Sequence, residues 1–161
     1  IPSKAAHDQL FAILNALEGT RPRGRTSAAA VLQDIAASLK RRGLIILISD
    51  LLDEPQAVSK GLRQLRSRGS EVIVFHLLDR DELQFPFKEP SEFRDMEEEL
   101  KLFADPQAIR PAYLKTLESL INEYRQACAS HRIDYALFDT SAGLDRTLAR
   151  YLNWRQRFRG R

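Results

Sequence analysis

Gly43-Leu-Ile-Ile-Leu-Ile-Ser-Asp-Leu-Leu-Asp-Glu-Pro55 decides the fold class. Five consecutive aliphatic residues, Leu44 to Ile48, leave no polar position to face water. The run therefore reads as a strand covered on both faces, because a half-exposed strand would alternate apolar and polar residues. It ends abruptly in a hydroxyl and a carboxylate, Ser49 and Asp50. Strands of this kind build parallel sheets flanked by helices, and such sheets bind ligands just beyond the carboxyl ends of their strands. Asp50 stands at that position.

Upstream of this strand, residues 27–41 carry Val31, Leu32, Ile35, Ala36 and Leu39 at helical spacing, which predicts a helix with these residues inward. Arg41 and Arg42 suit its C-terminal dipole, and Gly43 suits the position just past the end. Residues 4–18 predict an earlier helix, with Ser3 as cap, Gly19 as stop and an apolar stripe of Ala6, Leu10, Ile13, Leu14 and Leu17. Residues 20–25 read as a loop. Downstream, Asp53 and Gln56 have the spacing of a capping box, with Pro55 in the first turn. Val58, Leu62 and Leu65 line the helix that follows, and Gly69 ends it. Residues 71–78 predict a second strand. Strand, helix and strand in about 35 residues make a βαβ unit, whose strands run parallel.

Pro86 and Pro90 exclude a regular helix in residues 80–105. Residues 92–104 leave two readings open: the glutamates favour a helix by propensity, while Phe93, Met96, Leu100, Leu102 and Phe103 favour a short insertion hairpin, the preferred reading. Asp105-Pro106 opens the longest helix, in which Pro111 marks a kink or a restart. Leu114, Leu117, Ile121, Tyr124 and Cys128 form its inward stripe, and it ends near His131. Ile133 to Phe138 predicts a third buried strand, ending in Asp139. Residues 144–158 predict a final helix with Leu148, Tyr151 and Leu152 inward. The fold class is thus α/β, a Rossmann-type parallel sheet with helices on both faces.

The 161 residues suit one domain with a real core. A net charge of +3 is too small to point to a nucleic-acid partner. The charge is uneven, with arginines crowding residues 146–161 and carboxylates crowding residues 89–99. Cys128 is the only cysteine, which excludes an intrachain disulfide and a cysteine-based metal site and fits a cytoplasmic setting. No apolar stretch approaches the roughly 20 residues that span a bilayer. The chain begins at Ile1 and its only methionine is Met96. The expectation is a piece of a longer protein.

Three strands end in carboxylates, Asp50, Asp79 and Asp139, and a parallel sheet gathers them on one edge. Ser49, Thr140 and Ser141 stand beside them. Oxygen ligands of this kind suit a hard cation such as Mg²⁺. A strand-end aspartate more commonly caps the next turn or helix. Asp50 has the least call on it as a cap, because Asp53 already reads as the cap of the next helix. Asp139-Thr140-Ser141 looks like the start of an Asp-x-Ser-x-Ser motif, but Gly143 stands at the last hydroxyl position. Thr26 opens the second helix beside Ser27. His76 reads as a packed, hydrogen-bonded histidine rather than a general base, and Cys128 as a buried inert thiol. No nucleophile elbow, P-loop or dinucleotide-binding glycine pattern occurs. The Arg-rich end, with Trp154 and Phe158, has residue types that contact phosphates and stack on bases. A solvated terminal helix is the commoner outcome for such a segment.

Gly43 to Pro55 resembles the bacterial domain-of-unknown-function family 58. So do residues 69–79, Glu82-Leu-Gln-Phe-Pro-Phe87, the Tyr113 helix carrying Cys128, and Ile133 to Ser141. The likeness extends over essentially the whole chain. It implies a von Willebrand factor A-like domain, of which residues 1–161 would be the C-terminal part. It also implies a metal-ion-dependent adhesion site, built from Asp-x-Ser-x-Ser, then a Thr, then an Asp. Thr26 matches the Thr and Asp50 the Asp. The Asp-x-Ser-x-Ser segment has no counterpart here, so the site is incomplete. Mg²⁺ is expected in an intact protein and not on these residues alone.

The function expected is a non-enzymatic protein-interaction module. The resemblance implies that it acts with a MoxR-type AAA+ ATPase in assembly or maturation of other proteins. Ser49, Asp53 and Asp79 join Thr26 and Asp50 as candidate binding residues. An open edge on the Leu44 strand predicts self-association. The alternatives are a Mg²⁺-dependent phosphohydrolase using Asp50, and nucleic-acid binding through the Arg-rich end.

Overall fold

The computed structural model describes residues 7–21, 27–94 and 101–159, with side chains omitted at His7, Phe158 and Arg159. The elements in chain order are α1 (His7–Glu18), α2 (Ala28–Ser38), β1 (Leu44–Ser49), α3 (Pro55–Ser67), β2 (Glu71–Leu78), α4 (Arg80–Gln84), β3 (Ser91–Arg94), β4 (Lys101–Ala104), α5 (Pro106–Ser130), β5 (Asp134–Asp139) and α6 (Leu144–Arg159). The main sheet has the order β1-β2-β5, parallel throughout. In its register Leu44 faces Glu71, Ser49 faces His76, and Leu78 faces Asp139. The expected α/β architecture is present, with helices on both faces.

Strand periodicity assigns the faces. Ile45, Leu47, Val72 and Val74 lie on one side with Leu32 and Ala36 of α2, Val58, Leu62 and Leu65 of α3, and Tyr124 and Cys128 of α5. Each fully buried aliphatic here contributes about 1.5–3 kcal/mol of transfer free energy. A Cβ on Gly61 would stand 2.7 Å from the Leu32 Cβ, so α2 and α3 cross where only a glycine fits. Gly69 has φ +83° and closes α3 in the left-handed conformation that glycine adopts without strain. On the opposite face α6 covers β5 and part of β2. Phe75 meets Phe138 at 4.9 Å and Tyr151 edge-on at 5.0 Å. A polar network anchors this helix. Arg155 donates to Asp134 (3.3 Å) and Glu71 (2.6 Å), and Tyr151 donates to Asp134 (3.2 Å).

Several expectations need correction. The Leu44 strand is not covered on both faces. Leu44, Ile46 and Ile48 are 55, 48 and 61% exposed, because α6 does not reach them and β1 is an edge strand among the described residues. Apolarity alone cannot reveal which strand is an edge. The stripe of α1 is likewise uncovered at Leu10, Ile13, Leu14 and Leu17. Val31 and Leu152 also face out. The second helix ends at Ser38, so Arg41 and Arg42 lie in the following loop. Residues 80–84, expected to be irregular, form a short helix. Pro111 neither breaks nor restarts α5, which is continuous from Pro106 to Ser130. β3 and β4 pair antiparallel, as an insertion hairpin whose tip lies outside the described residues. The expected cap Ser3, and Met96 and Leu100 of the expected hairpin, also lie outside them.

Candidate functional site

Parallel pairing brings the ends of β1, β2 and β5 to one edge, and with them Asp50, Asp79 and Asp139. Two of the three carboxylates are committed to local structure. Asp79 caps α4: one oxygen accepts from the Asp81 amide at 2.9 Å, while the Glu82 carboxylate accepts from the Asp79 amide at 2.6 Å. Its other oxygen accepts from the Thr140 hydroxyl at 2.9 Å, which ties the β2 and β5 ends together. Asp139 accepts from the Ser141 hydroxyl at 2.5 Å and from the Ser141 amide at 2.9 Å, and pairs with Arg80 at 3.5 Å. The Ser141 hydroxyl is the main reason its pKa lies below the usual carboxylate value, with the Ser141 amide and Arg80 adding to the shift and partial desolvation opposing it.

Asp50 is held more loosely. Its carboxylate accepts from the Ser49 hydroxyl and the Leu52 amide, both at 3.4 Å, and it is exposed. The turn beneath it is nevertheless fixed. Leu51 is fully buried in the core with φ +53°, a left-handed conformation that a leucine adopts only when its surroundings impose it. The Ser49 hydroxyl accepts from the Leu51 amide at 3.1 Å. A core-anchored residue thus presents its exposed neighbour, Asp50, to solvent.

Asp53 does not cap α3. The N-cap there is Glu54, without a side-chain hydrogen bond, and Pro55 supplies the first helical position. The Asp53 carboxylate instead accepts from the Ala28 amide at 2.8 Å, at the start of α2. Gln56, its expected capping-box partner, donates to Glu123 on α5 at 2.9 Å. The Tyr124 hydroxyl donates to the Asp53 carbonyl at 3.1 Å. The turn after β1 is therefore clamped to α2 on one side and α5 on the other. Sequence spacing missed this clamp, because its partners stand 25 and 71 residues away. The one available signal was Tyr124, a tyrosine on a buried stripe whose hydroxyl needs a partner.

Thr26 lies outside the described residues. Ser27 caps α2 through its hydroxyl, which accepts from the Ala30 amide at 3.3 Å. Ala28, two residues after Thr26, is the residue bound to Asp53, three residues after Asp50.

His76 lies fully buried on β2, opposite Ser49. Its Nδ1 stands 2.7 Å from the Tyr135 hydroxyl, and its Nε2 has no hydrogen-bond partner of good geometry. Burial lowers its pKa, while the nearby main chain and charge of Asp50 work against that shift. A buried neutral imidazole suits a packed histidine. Burial also pushes the Cys128 thiol up to about 12, which suits an inert thiol.

The residues described do not fit a Mg²⁺ site. Asp50 and Ser49 offer three side-chain oxygens at most, against the roughly six that the ion takes. Among the described residues no group of three or more His, Cys, Asp or Glu is placed to hold a metal. At the opposite end of the chain, Arg155 is engaged by Glu71, Asp134 and Tyr151 and is not available to a phosphate. Among the described residues no helix is long and apolar enough to cross a membrane.

The fold and its strand ends define a Rossmann-like parallel α/β domain in which Asp50 is the most loosely held of three carboxylates at the carboxyl edge of the sheet. Residues 1–120 match the family model described as protein of unknown function DUF58, and the chain belongs to the DUF58 family. No curated protein and no solved structure matches it significantly.

Proposed function

We propose that this chain is a non-enzymatic protein-interaction module that engages other chains through β1 and the Ser49–Asp50 turn. One observation carries the reading. Among the described residues β1 is an edge strand, its outer face of Leu44, Ile46 and Ile48 is uncovered, and it runs directly into the exposed Asp50. An unpaired parallel edge beside an apolar face is a template for another chain. A carboxylate at the end of the strand adds a polar anchor to that surface. Among the described residues no Ser, Thr or Cys is hydrogen-bonded to a histidine, and the one histidine–hydroxyl pair, His76–Tyr135, involves a fully buried imidazole, which favours binding over catalysis.

The resemblance assigns Thr26 and Asp50 to two of the metal-ligand positions, a set that the described residues do not complete. The Ala28–Asp53 hydrogen bond draws the start of α2 to the turn after β1. With so few ligands, Mg²⁺ binding is weak unless a partner completes the shell. The resemblance to a von Willebrand factor A-like protein supports a MoxR-type AAA+ ATPase as partner, in cytoplasmic assembly or maturation of other proteins. The open β1 edge supports self-association when no partner is present.

Light scattering after size exclusion, over a range of concentrations, tests the surface. The expected result is concentration-dependent association of the natural chain and a monomer for Ile46→Lys. A strictly monomeric natural chain at high concentration would sink the reading of β1. Retrieval of a MoxR-type ATPase on the immobilised chain, with and without Mg²⁺, tests the partner. Failure to retrieve it in either condition removes that partner.

A further inference from the structure

The amino ends of the strands, opposite Asp50, carry a second surface of different chemistry. α2 ends at Ser38 and α3 at Ser67, and the two ends meet. The Arg42 stem lies against Gly69, with its Cβ and Cδ each 3.9 Å from where a glycine Cβ would be. Between the helix ends is an open cavity of about 280 Å³, lined by Leu39, Lys40, Arg41, Arg42, Arg68 and Ser70. It adjoins a second cavity, of about 370 Å³, which shares Arg68 and continues past Lys60 and Gln64 along the α2–α3 junction. No Asp or Glu lines either cavity. Among the described residues, Lys40, Arg41, Arg42 and Arg68 have no carboxylate within ion-pair distance.

The ordinary reading is that these cations offset the two helix dipoles. Magnitudes decide against that as the whole account. Each helix C-terminus carries the equivalent of about −0.5 charge, so two offset roughly one cation. Four cations surround the first cavity, which leaves a surplus of about three.

We propose that this trough binds an acidic peptide segment. Arginine forks pair bidentately with carboxylates, and three of the four cations are arginines. The last turns of α2 and α3 also carry carbonyls without intrahelical donors. The amides of Leu39, Arg68 and Gly69 use only the Ile35, Gln64 and Arg66 carbonyls. A peptide brings main-chain N–H groups to such carbonyls along with its carboxylates, whereas a phosphodiester chain has acceptors alone. Single-stranded nucleic acids also depend on aromatic platforms, and no aromatic residue lines either cavity.

The test is fluorescence anisotropy with a labelled octa-glutamate peptide. Octa-glutamine and a mixed-sequence single-stranded DNA octamer run beside it, at low and at physiological salt. The expected result is binding of octa-glutamate that weakens with salt, no binding of octa-glutamine, and weaker binding of the DNA. The Arg41→Gln/Arg42→Gln/Arg68→Gln variant should lose at least about tenfold in affinity. These side chains are exposed, and circular dichroism checks that the variant folds. Asp50→Asn and Ile46→Lys should bind octa-glutamate as the natural chain does, which separates this surface from the one proposed at β1. Equal affinity of the triple variant, tighter binding of the DNA, or no octa-glutamate binding at low salt would each overturn the proposal.

Discussion

Replacing Asp53 separates a structural clamp from a ligand-binding carboxylate. Its side chain accepts from the Ala28 amide at 2.8 Å, and Ala28 is buried, so water does not replace the lost acceptor. A hydrogen bond to a charged group contributes about 1.5–3 kcal/mol. The favourable placement of a carboxylate at the α2 N-terminus falls within that figure. Asp53→Ala should therefore cost about 2 kcal/mol. Asp53→Asn keeps an acceptor and loses the charge, and should cost about 1 kcal/mol. For a chain of this length each kcal/mol moves Tm by about 2–4 °C, which gives roughly 4–8 °C for the alanine variant. Tyr124→Phe is the companion measurement. It removes the bond to the Asp53 carbonyl, leaves the carboxylate in place, and should cost about 1 kcal/mol. Urea unfolding followed by circular dichroism supplies all three values. Asp53→Ala within about 0.5 kcal/mol of the natural chain would refute the clamp. Equal losses in the alanine and asparagine variants would refute the role given to the charge.

Two further outcomes follow from burial. With its pKa raised to about 12, the Cys128 thiol is roughly one part in ten thousand thiolate at pH 8. Iodoacetamide should modify it about a thousandfold more slowly in the native chain than in urea, and comparable rates would contradict its burial. His76 has a lowered native pKa, so the unfolded chain takes up the proton first as the pH falls below about 6.5. Stability should be fully present above that pH. It should then decline at up to about 1.4 kcal/mol per pH unit until the native pKa is reached. His76→Gln should flatten this slope, and an unchanged slope would assign it to other groups.

The sequence made the elements legible where periodicity and punctuation agree. β1 and β2 begin and end where their apolar runs do, and Gly69 closes α3 as its position implies. The capping role of Asp79 was legible too, because a capping box is a local device. Asp53 was misread for the complementary reason. Its spacing to Gln56 imitates a capping box, yet its carboxylate is taken by a helix that precedes it in the chain. The open edge of the Leu44 strand was expected, but its exposed face was hidden because Leu44 to Ile48 is apolar at every position. Arg155 was grouped with a basic tail, since its partners Glu71 and Asp134 become neighbours only when α6 lies across the amino ends of β2 and β5.

That sheet order has a consequence in time as well as in space. β2 is the central strand, and its partners arise at very different distances along the chain. β1 precedes it closely, with only α3 between. β5 follows about 55 residues later, after α4, the hairpin and α5. At ribosomal rates of roughly 5–20 residues per second, those intervening residues take about 3–11 s to appear. For that interval Ile73 to Leu78 of β2 await the strand they pair with in the finished sheet. α5 is made before β5, and its Leu117, Ile121 and Tyr124, which pack in the core of the folded chain, are the first of the later residues that can cover this side of β2.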